Sequence, residues 1–359
     1  MPFSKTGIFW GKYSTPFAHN TADFSEKKGK YGETFPFAGG SGTEAELYLV
    51  ATAEQLNNIR NYLDKHFKQT ADIDLKDYSP TEGWEPIGLS KEPFIGSFDG
   101  NGFRIISLTI SRSSDKTFLF GIGTPVVGLF GYNDGTLKNI ALERMDIKGK
   151  DAIGSLAGIN SGRITNSYAT GKIVGEKWIG GLVGANFEGD IIKSYVIGEV
   201  EGELGIGGLV GAIWGGSITR SYVTGSVKGK EVVGGLVGVN SDDGSIENSY
   251  ARAKVEGTKC VGGLVGMNDY DAIIKYSYSA GTVKGKNETG GLVGMNEGAV
   301  IAGYYDTETT GQTDTGKGIP AATAEMKLQT LYNGWDFINI WAIDDSKNDG
   351  YPYLKMSGH

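Results

Sequence analysis

The sequence predicts an all-β fold, a parallel β-helix (solenoid) built from coils of about 27 residues. Two recurring sequence motifs predict this fold. A Gly-Leu-Val-Gly core recurs, and successive central leucines are separated by 27, 26, 27, 27, 28 and 28 residues. A Ser-Tyr pair keeps the same period. Because a fixed period of about 20–50 residues indicates one supersecondary unit stacked on copies of itself, the chain reads as a repeat protein. The central leucines are Leu129, Leu156, Leu182, Leu209, Leu236, Leu264 and Leu292.

Each repeat consists of short β-prone runs that glycines separate. Residues 206–232 read IGGLVGAIWGGSITRSYVTGSVKGKEV. Glycine is costly in a helix interior, and no run has room for a helix of about ten residues. We therefore expect three short strands and three corners in each coil. Every coil would hydrogen-bond to its neighbours, so that open sheet edges remain only at the two ends of the stack.

An asparagine stands four residues after six of the seven leucines, and Ile213 takes its place in the remaining repeat. We expect these asparagines to stack at one corner as a ladder of side-chain amides, since Asn also tolerates the left-handed backbone that a corner needs. The alternative is that Asn is simply a common turn residue. The six are Asn133, Asn160, Asn186, Asn240, Asn268 and Asn296.

The tyrosines of the Ser-Tyr pairs form a second column, for which stacked aromatic packing is favoured over a binding stripe. Strict alternation would place Ile218, Arg220 and Tyr222 on one face of a strand, where they cannot all be buried. We therefore expect a bulge or a corner between Ile218 and Tyr222. The column consists of Tyr168, Tyr195, Tyr222, Tyr250 and Tyr278.

The repeat resembles the GLUG motif, whose consensus GLVGxN…NSYATG is matched by residues 179–186 and 166–171. The resemblance covers residues 127–305. Residues 94–110 and 334–354 resemble segments that commonly accompany it. The resemblance implies a bacterial surface protein, since GLUG repeats occur in immunoglobulin-A proteases and filamentous adhesins. It implies a scaffold rather than an activity, because a fold hosts many functions.

The segments on either side of the repeats form three further regions. Residues 1–42 form an aromatic arm, either packed along the solenoid or docking on a partner. Residues 43–126 are a cap and early coils, in which Thr52 and Gln55 open a capping helix of about three turns. Residues 306–359 form a C-terminal cap, with a short helix near 323–326 and an aromatic cluster. The cluster consists of Trp335, Phe337, Trp341, Tyr351 and Tyr353.

Composition limits the partners. The net charge of −8 argues against nucleic acid and anionic membranes, and no apolar stretch approaches the roughly 18 residues of a spanning helix. No secretory hydrophobic region is visible at the start. We expect an extracellular, cell-surface or virion location, reached after removal of a signal or by another route. The one cysteine, Cys260, excludes an internal disulfide framework and suggests a buried strand position.

Few residues offer catalytic or metal chemistry. The histidines His19, His66 and His359 are far apart, and the HExxH, GxSxG and P-loop patterns are absent. The sequence thus predicts no cofactor. A weak calcium candidate precedes Gly350, without the ligand spacing or terminal Glu of an EF-hand. Its members are Asp344, Asp345, Asn348 and Asp349.

Charged residues recur at two corners. Carboxylates follow the asparagine positions, where a glycan-degrading β-helix enzyme could place a catalytic pair. Lysines gather at another corner. The alternative, which we favour, is that charged corners keep the stack soluble. The carboxylates are Asp134, Glu188, Asp242, Asp243, Asp269, Asp271 and Glu297, and the lysines are Lys148, Lys150, Lys177, Lys228, Lys230, Lys259, Lys284 and Lys286.

The main irregularities within the repeats are Ile213-Trp214 and the Asp269-Tyr270-Asp271 turn. Trp214 is either a sugar-stacking platform or a packed side chain filling the corner that lost its Asn. We take Trp214, Asp269, Tyr270 and Asp271 as candidate binding residues. The sequence favours a non-catalytic adhesion scaffold for a surface glycan or protein receptor. The alternatives are a phage tail or fibre component, oligomeric through residues 1–42, and a polysaccharide-degrading enzyme.

Overall fold

The computed structural model describes residues 36–78, 82–112 and 126–356. They form a parallel β-helix of about eight turns, so the predicted solenoid is confirmed. Residues 1–35 of the predicted arm, with His19, lie outside the described residues, as does His359. Within the described residues, no helix is long and apolar enough to cross a membrane.

Each regular coil has four strands, so the expectation of three was wrong. Going along one repeat, the strands belong to sheets that we number I, II, III and IV, and the coils pair in parallel within each sheet. Sheet I contains Asp151–Ile153, Lys177–Gly180, Leu204–Gly207, Glu231–Gly234, Lys259–Gly262 and Asn287–Gly290. Sheet II contains Phe130–Asn133, Ala157–Asn160, Val183–Phe187, Val210–Trp214, Val237–Ser241, Val265–Asn268 and Val293–Asn296.

Sheets III and IV extend further toward the N-terminus. Sheet III contains Tyr48–Val50, His66–Gln69, Ser97–Asp99, Thr136–Lys138, Arg163–Thr165, Asp190–Ile192, Ser217–Thr219, Ser245–Glu247, Ile273–Lys275 and Ala299–Ile301. Sheet IV contains Ile73–Asp74, Arg104–Ile106, Thr109–Ser111, Ala141–Lys148, Tyr168–Val174, Tyr195–Glu201, Tyr222–Lys228, Tyr250–Glu256, Tyr278–Ser279, Val283–Lys284, Tyr304–Asp306 and Ile319–Ala321.

The Gly-Leu-Val-Gly core is a bend, which explains the fourth strand. In one coil, sheet I ends at Gly180 and sheet II begins at Val183. The two sheets then pack so closely that a Cβ at Gly184 would lie 2.5 Å from the backbone of Ala152 and Ile153. Real Cβ atoms do not come this near, so only glycine allows the approach. Leu182 sits at the bend and is fully buried.

The seven leucines lie in one continuous core that runs the length of the stack. It is filled by inward residues of all four sheets, such as Ile191 and Val196 of sheets III and IV. Because such a stack grows in one dimension, the core lengthens with each coil without needing a second domain.

The N-terminal helix spans Ala53–Asn58, and a 3₁₀ turn, Ile59–Asn61, continues it. The Thr52 side chain accepts a hydrogen bond from the Gln55 backbone, and Gln55 Oε1 accepts one from the Ala51 backbone at 2.8 Å. The helix is shorter than the three turns expected and does not reach Leu63. Leu56 and Ile59 are fully buried against the first coils.

The C-terminal segment folds back along the side of the stack. It contains the short helices Thr307–Thr310 and Thr323–Met326, the 3₁₀ turns Gln329–Leu331 and Asn348–Gly350, and the antiparallel strands Trp341–Ala342 and Tyr353–Leu354. Trp335 and Trp341 pack laterally on Tyr250, Tyr278 and Tyr304 of sheet IV. Residues 311–321 instead cross the end of the last coil.

Candidate functional site: the variable corner

The turn from sheet II to sheet III, which we call the variable corner, changes in length from coil to coil. Between the asparagine position and the first residue of sheet III it has two, three or four residues. The leucine spacings from Leu156 onward, 26, 27, 27, 28 and 28, rise in step with it. The remaining extra residue, before Leu156, comes from a bulge at Arg144. The corner comprises residues 134–135, 161–162, 187–189, 214–216, 241–244, 269–272 and 297–298.

Beneath the corner, the asparagines bond from coil to coil. Asn133 Nδ2 donates to Asn160 Oδ1, and Asn160 donates to Asn186, both at 2.7 Å. Asn240, Asn268 and Asn296 form a second run, at 2.9 Å for each bond. All but Asn296 are fully buried. None of the six has the left-handed backbone expected of it.

Ile213 divides the ladder into two runs of three. It is fully buried in the core. Asn186, the last of the first run, donates to the Gly189 carbonyl at 2.7 Å. Asn240 Oδ1, the first acceptor of the second run, is buried without a hydrogen-bond partner among the described residues. A buried polar atom without a partner costs about 1–3 kcal/mol, so the break in the ladder carries a local cost at Asn240.

Trp214 follows Ile213 and belongs to a small aromatic cluster. Its ring stacks on Phe187 of the preceding coil, with centroids 4.8 Å apart, and meets Trp178 of sheet I edge-on at 5.5 Å. The left-handed backbone of Trp178 turns its ring over Gly205, where a Cβ would lie 3.0 Å from Trp178 Cδ1. Trp214 and Trp178 are both half-buried. Trp214 is therefore packed against its neighbours and partly accessible, and its use as a sugar-stacking platform stays a prediction.

Tyr270 occupies the tip of a four-residue corner, two coils beyond Trp214. Its side chain is 79% exposed. Asp269 accepts a hydrogen bond from the Tyr270 backbone at 2.9 Å, which shapes the turn. Coils are spaced about 4.8 Å apart, so Trp214 and Tyr270 lie about 10 Å from each other along the axis. The structure thus places all four candidate binding residues on the same edge.

An open groove of about 650 Å³ adjoins the N-terminal part of this corner. Asp134 contributes a carboxylate from one coil, Glu188 and Asp190 contribute carboxylates from the second coil beyond it, and Lys138 and Arg163 contribute cations. Asp190 already accepts a hydrogen bond from Ser217 at 2.6 Å. His66, the described histidine, lies at the far end of the groove, 2.9 Å from Ser97 Oγ. The lining of the groove is therefore mainly polar and charged.

The turn from sheet III to sheet IV, which we call the constant corner, has two residues in each of the seven coils that carry the core leucines, whereas the two earlier turns, residues 70–72 and 100–103, are longer. Its first residue has left-handed backbone, as Arg220 does at φ 53°, which confirms the corner expected between Ile218 and Tyr222. Its second residue is a buried serine in five coils. Each serine accepts from the backbone of the preceding coil, as Ser221 does from Ser194 at 3.1 Å. The corner comprises residues 139–140, 166–167, 193–194, 220–221, 248–249, 276–277 and 302–303.

The tyrosines after the constant corner stack face to face. Ring centroids of neighbours are 4.7–5.0 Å apart and the planes lie within 7°. Burial raises the pKa of Tyr222, Tyr250 and Tyr278 well above the ordinary value of 10.0. Since neighbouring rings occupy these ring faces, the column is packing rather than a sugar platform.

The other candidates have structural partners. Arg252 donates to Asn348 at 2.8 Å and to Asp349 at 2.5 Å, and this bond lowers the pKa of Asp349. Asp344 accepts from Ser346 at 2.6 Å instead. The four calcium candidates therefore do not converge. Among the residues that the structure describes, no group of three or more carboxylate, histidine or cysteine side chains could hold a metal ion.

Cys260 and the lysines also serve the scaffold. Burial, and then Glu288 at 2.8 Å from the sulfur, raise the pKa of Cys260 to about 12. The thiol is therefore unreactive at neutral pH. At the corner between sheets IV and I, Lys228 pairs with Glu201 at 3.2 Å and Lys230 pairs with Glu203. Exposed pairs of this kind contribute little stability.

The comparisons with known proteins match these coils. The model of the GLUG motif fits residues 151–174, 202–228, 230–256 and 257–284, and each match runs from sheet I to sheet IV. The chain carries GLUG motif repeats. In structural terms one GLUG repeat is therefore one coil, and its glycines are those of the bend between sheets I and II.

Two curated relatives carry similar sequence. A protein of Evansella cellulosilytica, provisionally assigned as a Gly-rich membrane protein, is 39% identical over 139 residues, which are 36% of this chain and 15% of that protein. Halomucin of Haloquadratum walsbyi is 34% identical over 157 residues, 41% of this chain and 2% of halomucin. The chain thus spans a small part of the length of these relatives.

The fold is also found among solved structures. A protein from Bacteroides ovatus, provisionally assigned as an immunoglobulin A1 protease, superposes with a TM-score of 0.63 at 21% identity. The match covers 90% of this chain and 96% of that chain. At this level of identity the likeness shows a common β-helix fold and carries no information about activity.

Sequence reasoning missed two sets of structural residues. The buried serines of the constant corner were visible as the first half of every Ser-Tyr pair, but only the tyrosine was assigned a role. The groove was not visible, because its floor combines strands from His66 to Asp190 that are distant in sequence. The signal that could have located the variable corner was the spacing itself, since the repeats differ in length at that point.

Proposed function

We propose that the protein is a non-catalytic recognition module of a cell-surface protein and that it binds a glycan along the variable corner. One observation carries this proposal: apart from a single bulge, all length variation among the repeats falls at this corner. In repeat proteins such insertions tend to mark the binding face. The names of the two curated relatives, a Gly-rich membrane protein and halomucin, support a surface setting.

The chemistry of the corner suits a carbohydrate. Carboxylates and serine hydroxyls exchange hydrogen bonds with sugar hydroxyls, and aromatic rings pack against the apolar faces of sugars. Tyr270 presents such a ring on the same edge as Trp214. Because the corner runs parallel to the solenoid axis, a glycan chain lying along it would contact several coils in turn.

The test is a glycan array with the full chain and the variants Tyr270→Ala and Trp214→Ala. We expect the Tyr270 variant to fold normally, since the side chain is 79% exposed, and to lose about tenfold in affinity, or about 1.4 kcal/mol. Ile338→Ala is the matched control, because Ile338 is 84% exposed but lies on the C-terminal segment. Equal binding by the wild type and both corner variants would refute the site.

A cleavage arm separates binding from catalysis. The same polysaccharides are incubated with the protein and assayed for new reducing ends. We expect none. Cleavage that disappears in Glu188→Gln would contradict the non-catalytic role and would favour an enzyme that uses the groove carboxylates.

A further inference from the structure

The edge strands at the two ends of sheet III differ in how far neighbouring segments cover them. At the N-terminal end, the strand Tyr48–Val50 is covered by the preceding backbone, because Leu49 exchanges hydrogen bonds with Ala38 and Gly39 at 2.8 Å. Phe37 is 3% exposed and stacks on Tyr48 at 4.5 Å. This edge is closed both to hydrogen bonding and to apolar contact.

The C-terminal edge of sheet III is open. Among the strands of the described residues, Ala299–Ile301 pairs on one side only, with Ile273–Lys275. Val300 continues an inward column that is fully buried in the preceding coils, yet Val300 itself is only half-buried. The column is Leu137, Ile164, Ile191, Ile218, Ile246 and Ile274. The core therefore ends here with a partly accessible side chain.

The other three sheets are protected at the same end. Asp314 accepts a hydrogen bond from the Gly291 backbone, just after the last strand of sheet I, at 2.8 Å. Lys317 Nζ donates to the Gly294 carbonyl of sheet II at 2.5 Å. In sheet IV, the edge strand carries Pro320, which cannot extend a ladder. Natural proteins block open edges with such devices, and in the part of the chain that the structure describes no proline, side-chain bond or crossing segment blocks Ala299–Ile301 in this way.

We propose that this edge is an interface with a second copy of the chain. Two copies related by a two-fold axis would pair their Ala299–Ile301 strands antiparallel and continue sheet III through both molecules. The pairing would bury Val300 and the neighbouring apolar side chains Ile301 and Ile319, which are 45% and 44% exposed. A two-fold contact is self-complementary and closed. Because the N-terminal edge is covered, the same sheet cannot add copies head to tail.

The test is the mass of the full chain in solution, by light scattering over a range of concentrations. We expect a dimer that becomes a monomer in Ile301→Lys and in Val300→Pro, whose ring removes the backbone N–H on the open side. Ile338→Lys is the control and should remain dimeric. Circular dichroism checks that the variants fold.

A monomer at every concentration would overturn the proposal, as would a dimer that survives both edge variants. A dimer that is lost equally in the Ile338 control would also overturn it, because the contact would then lie on the C-terminal segment. The result is independent of glycan binding, since the edge variants leave the residues of the variable corner unchanged.

Discussion

The constant and variable corners are turns of the same chain, yet only one of them tolerates change. The constant corner has two residues in each of the seven coils that carry the core leucines, with a left-handed first residue. The variable corner has two to four and accommodates Trp214, Tyr270 and seven carboxylates. Both repeat once per coil, so the difference cannot come from the stacking itself.

The difference lies in where the side chains go. At the constant corner the serine is buried and bonds to the next coil, and the following tyrosine stacks on its neighbours. At the variable corner the asparagine ladder precedes the turn, so it does not depend on the length of the turn. Contacts between coils within the turn are local, such as the stack of Trp214 on Phe187 and the bond from Ser241 to the Ile213 carbonyl. Strict repetition thus marks side chains that belong to ladders running through successive coils, and variation marks a turn that no such ladder constrains.

A matched pair of insertions would test this contrast most severely. A glycine inserted between Arg220 and Ser221 would remove Ser221 from its ladder and shift Tyr222–Lys228 by one residue, which reverses the faces of that strand. We expect a loss of at least about 4 kcal/mol in the free energy of unfolding, measured with urea.

The control is a glycine inserted between Gly215 and Gly216. It would give a four-residue corner like residues 241–244, at a cost below about 1 kcal/mol. Equal losses at the two corners would mean that both are structural and would remove the basis for a variable binding edge.

We expect alkaline pH to lower the stability of the fold through the buried tyrosines that follow the constant corner. Burial raises the pKa of Tyr222, Tyr250 and Tyr278 in the folded protein above the unfolded value of 10.0. Their contribution to stability is therefore complete below pH 10 and is lost as the pH rises from 10 toward the folded pKa. Each such group can lower the free energy of unfolding by up to about 1.4 kcal/mol per pH unit.

Urea unfolding between about pH 9 and pH 11, with tyrosinate absorbance recorded in parallel, would measure the effect. We expect stability to fall above pH 10 while the column tyrosines ionise only on unfolding. Tyrosinate formation by these residues in the folded state, without loss of stability, would contradict the stacked and buried column.

The sequence predicts the solenoid because the residues that recur are the ones that bond or pack between coils. Their period can be recognised in the sequence without any knowledge of the tertiary structure. The sequence does not predict the fourth strand. The run Ile-Gly-Gly-Leu-Val has the composition of one strand, and only the close approach at Gly184 shows that it bends between two sheets. The C-terminal tryptophans were expected, but their lateral position depends on partners such as Asn248, 93 residues away from Trp341.

The candidate site is predicted only in part for the same reason. Trp214 and Tyr270 stand out because they break the repeat. Each lies one or two residues after the asparagine position of its repeat, so alignment of the repeats already predicts that they share an edge. The role of Trp178 could not be obtained, since its contact with Trp214 joins two sheets and depends on a left-handed backbone.

Exchanging Asn and Ile at ladder positions would show whether the two runs of the asparagine ladder stabilise the fold together or independently. In Asn160→Ile, the bonds to Asn133 and Asn186 are lost and buried amide atoms are left without partners, at an expected cost of about 2–4 kcal/mol. In Ile213→Asn, the new amide can join Asn186 to Asn240 and satisfy its Oδ1.

The loss of a buried isoleucine, about 2–3 kcal/mol, then offsets the gain in Ile213→Asn, and the net change should be within about 1 kcal/mol of zero. Urea midpoints measured for the two variants under the same conditions give the comparison. If Ile213→Asn is as destabilising as Asn160→Ile, the two runs of the ladder are independent, and the break at Ile213 is no defect.

Shortening the corner that carries Tyr270 should change stability least and binding most. Deleting Tyr270 and Asp271 and replacing Ala272 with glycine leaves Asp-Gly, the same corner as Asp134-Gly135. The ladder bonds of Asn268 are untouched, so we expect a change below about 1 kcal/mol. A larger loss would show that the turn supports the coil. Normal stability combined with lost glycan binding would separate the scaffold from the binding edge within a single repeat.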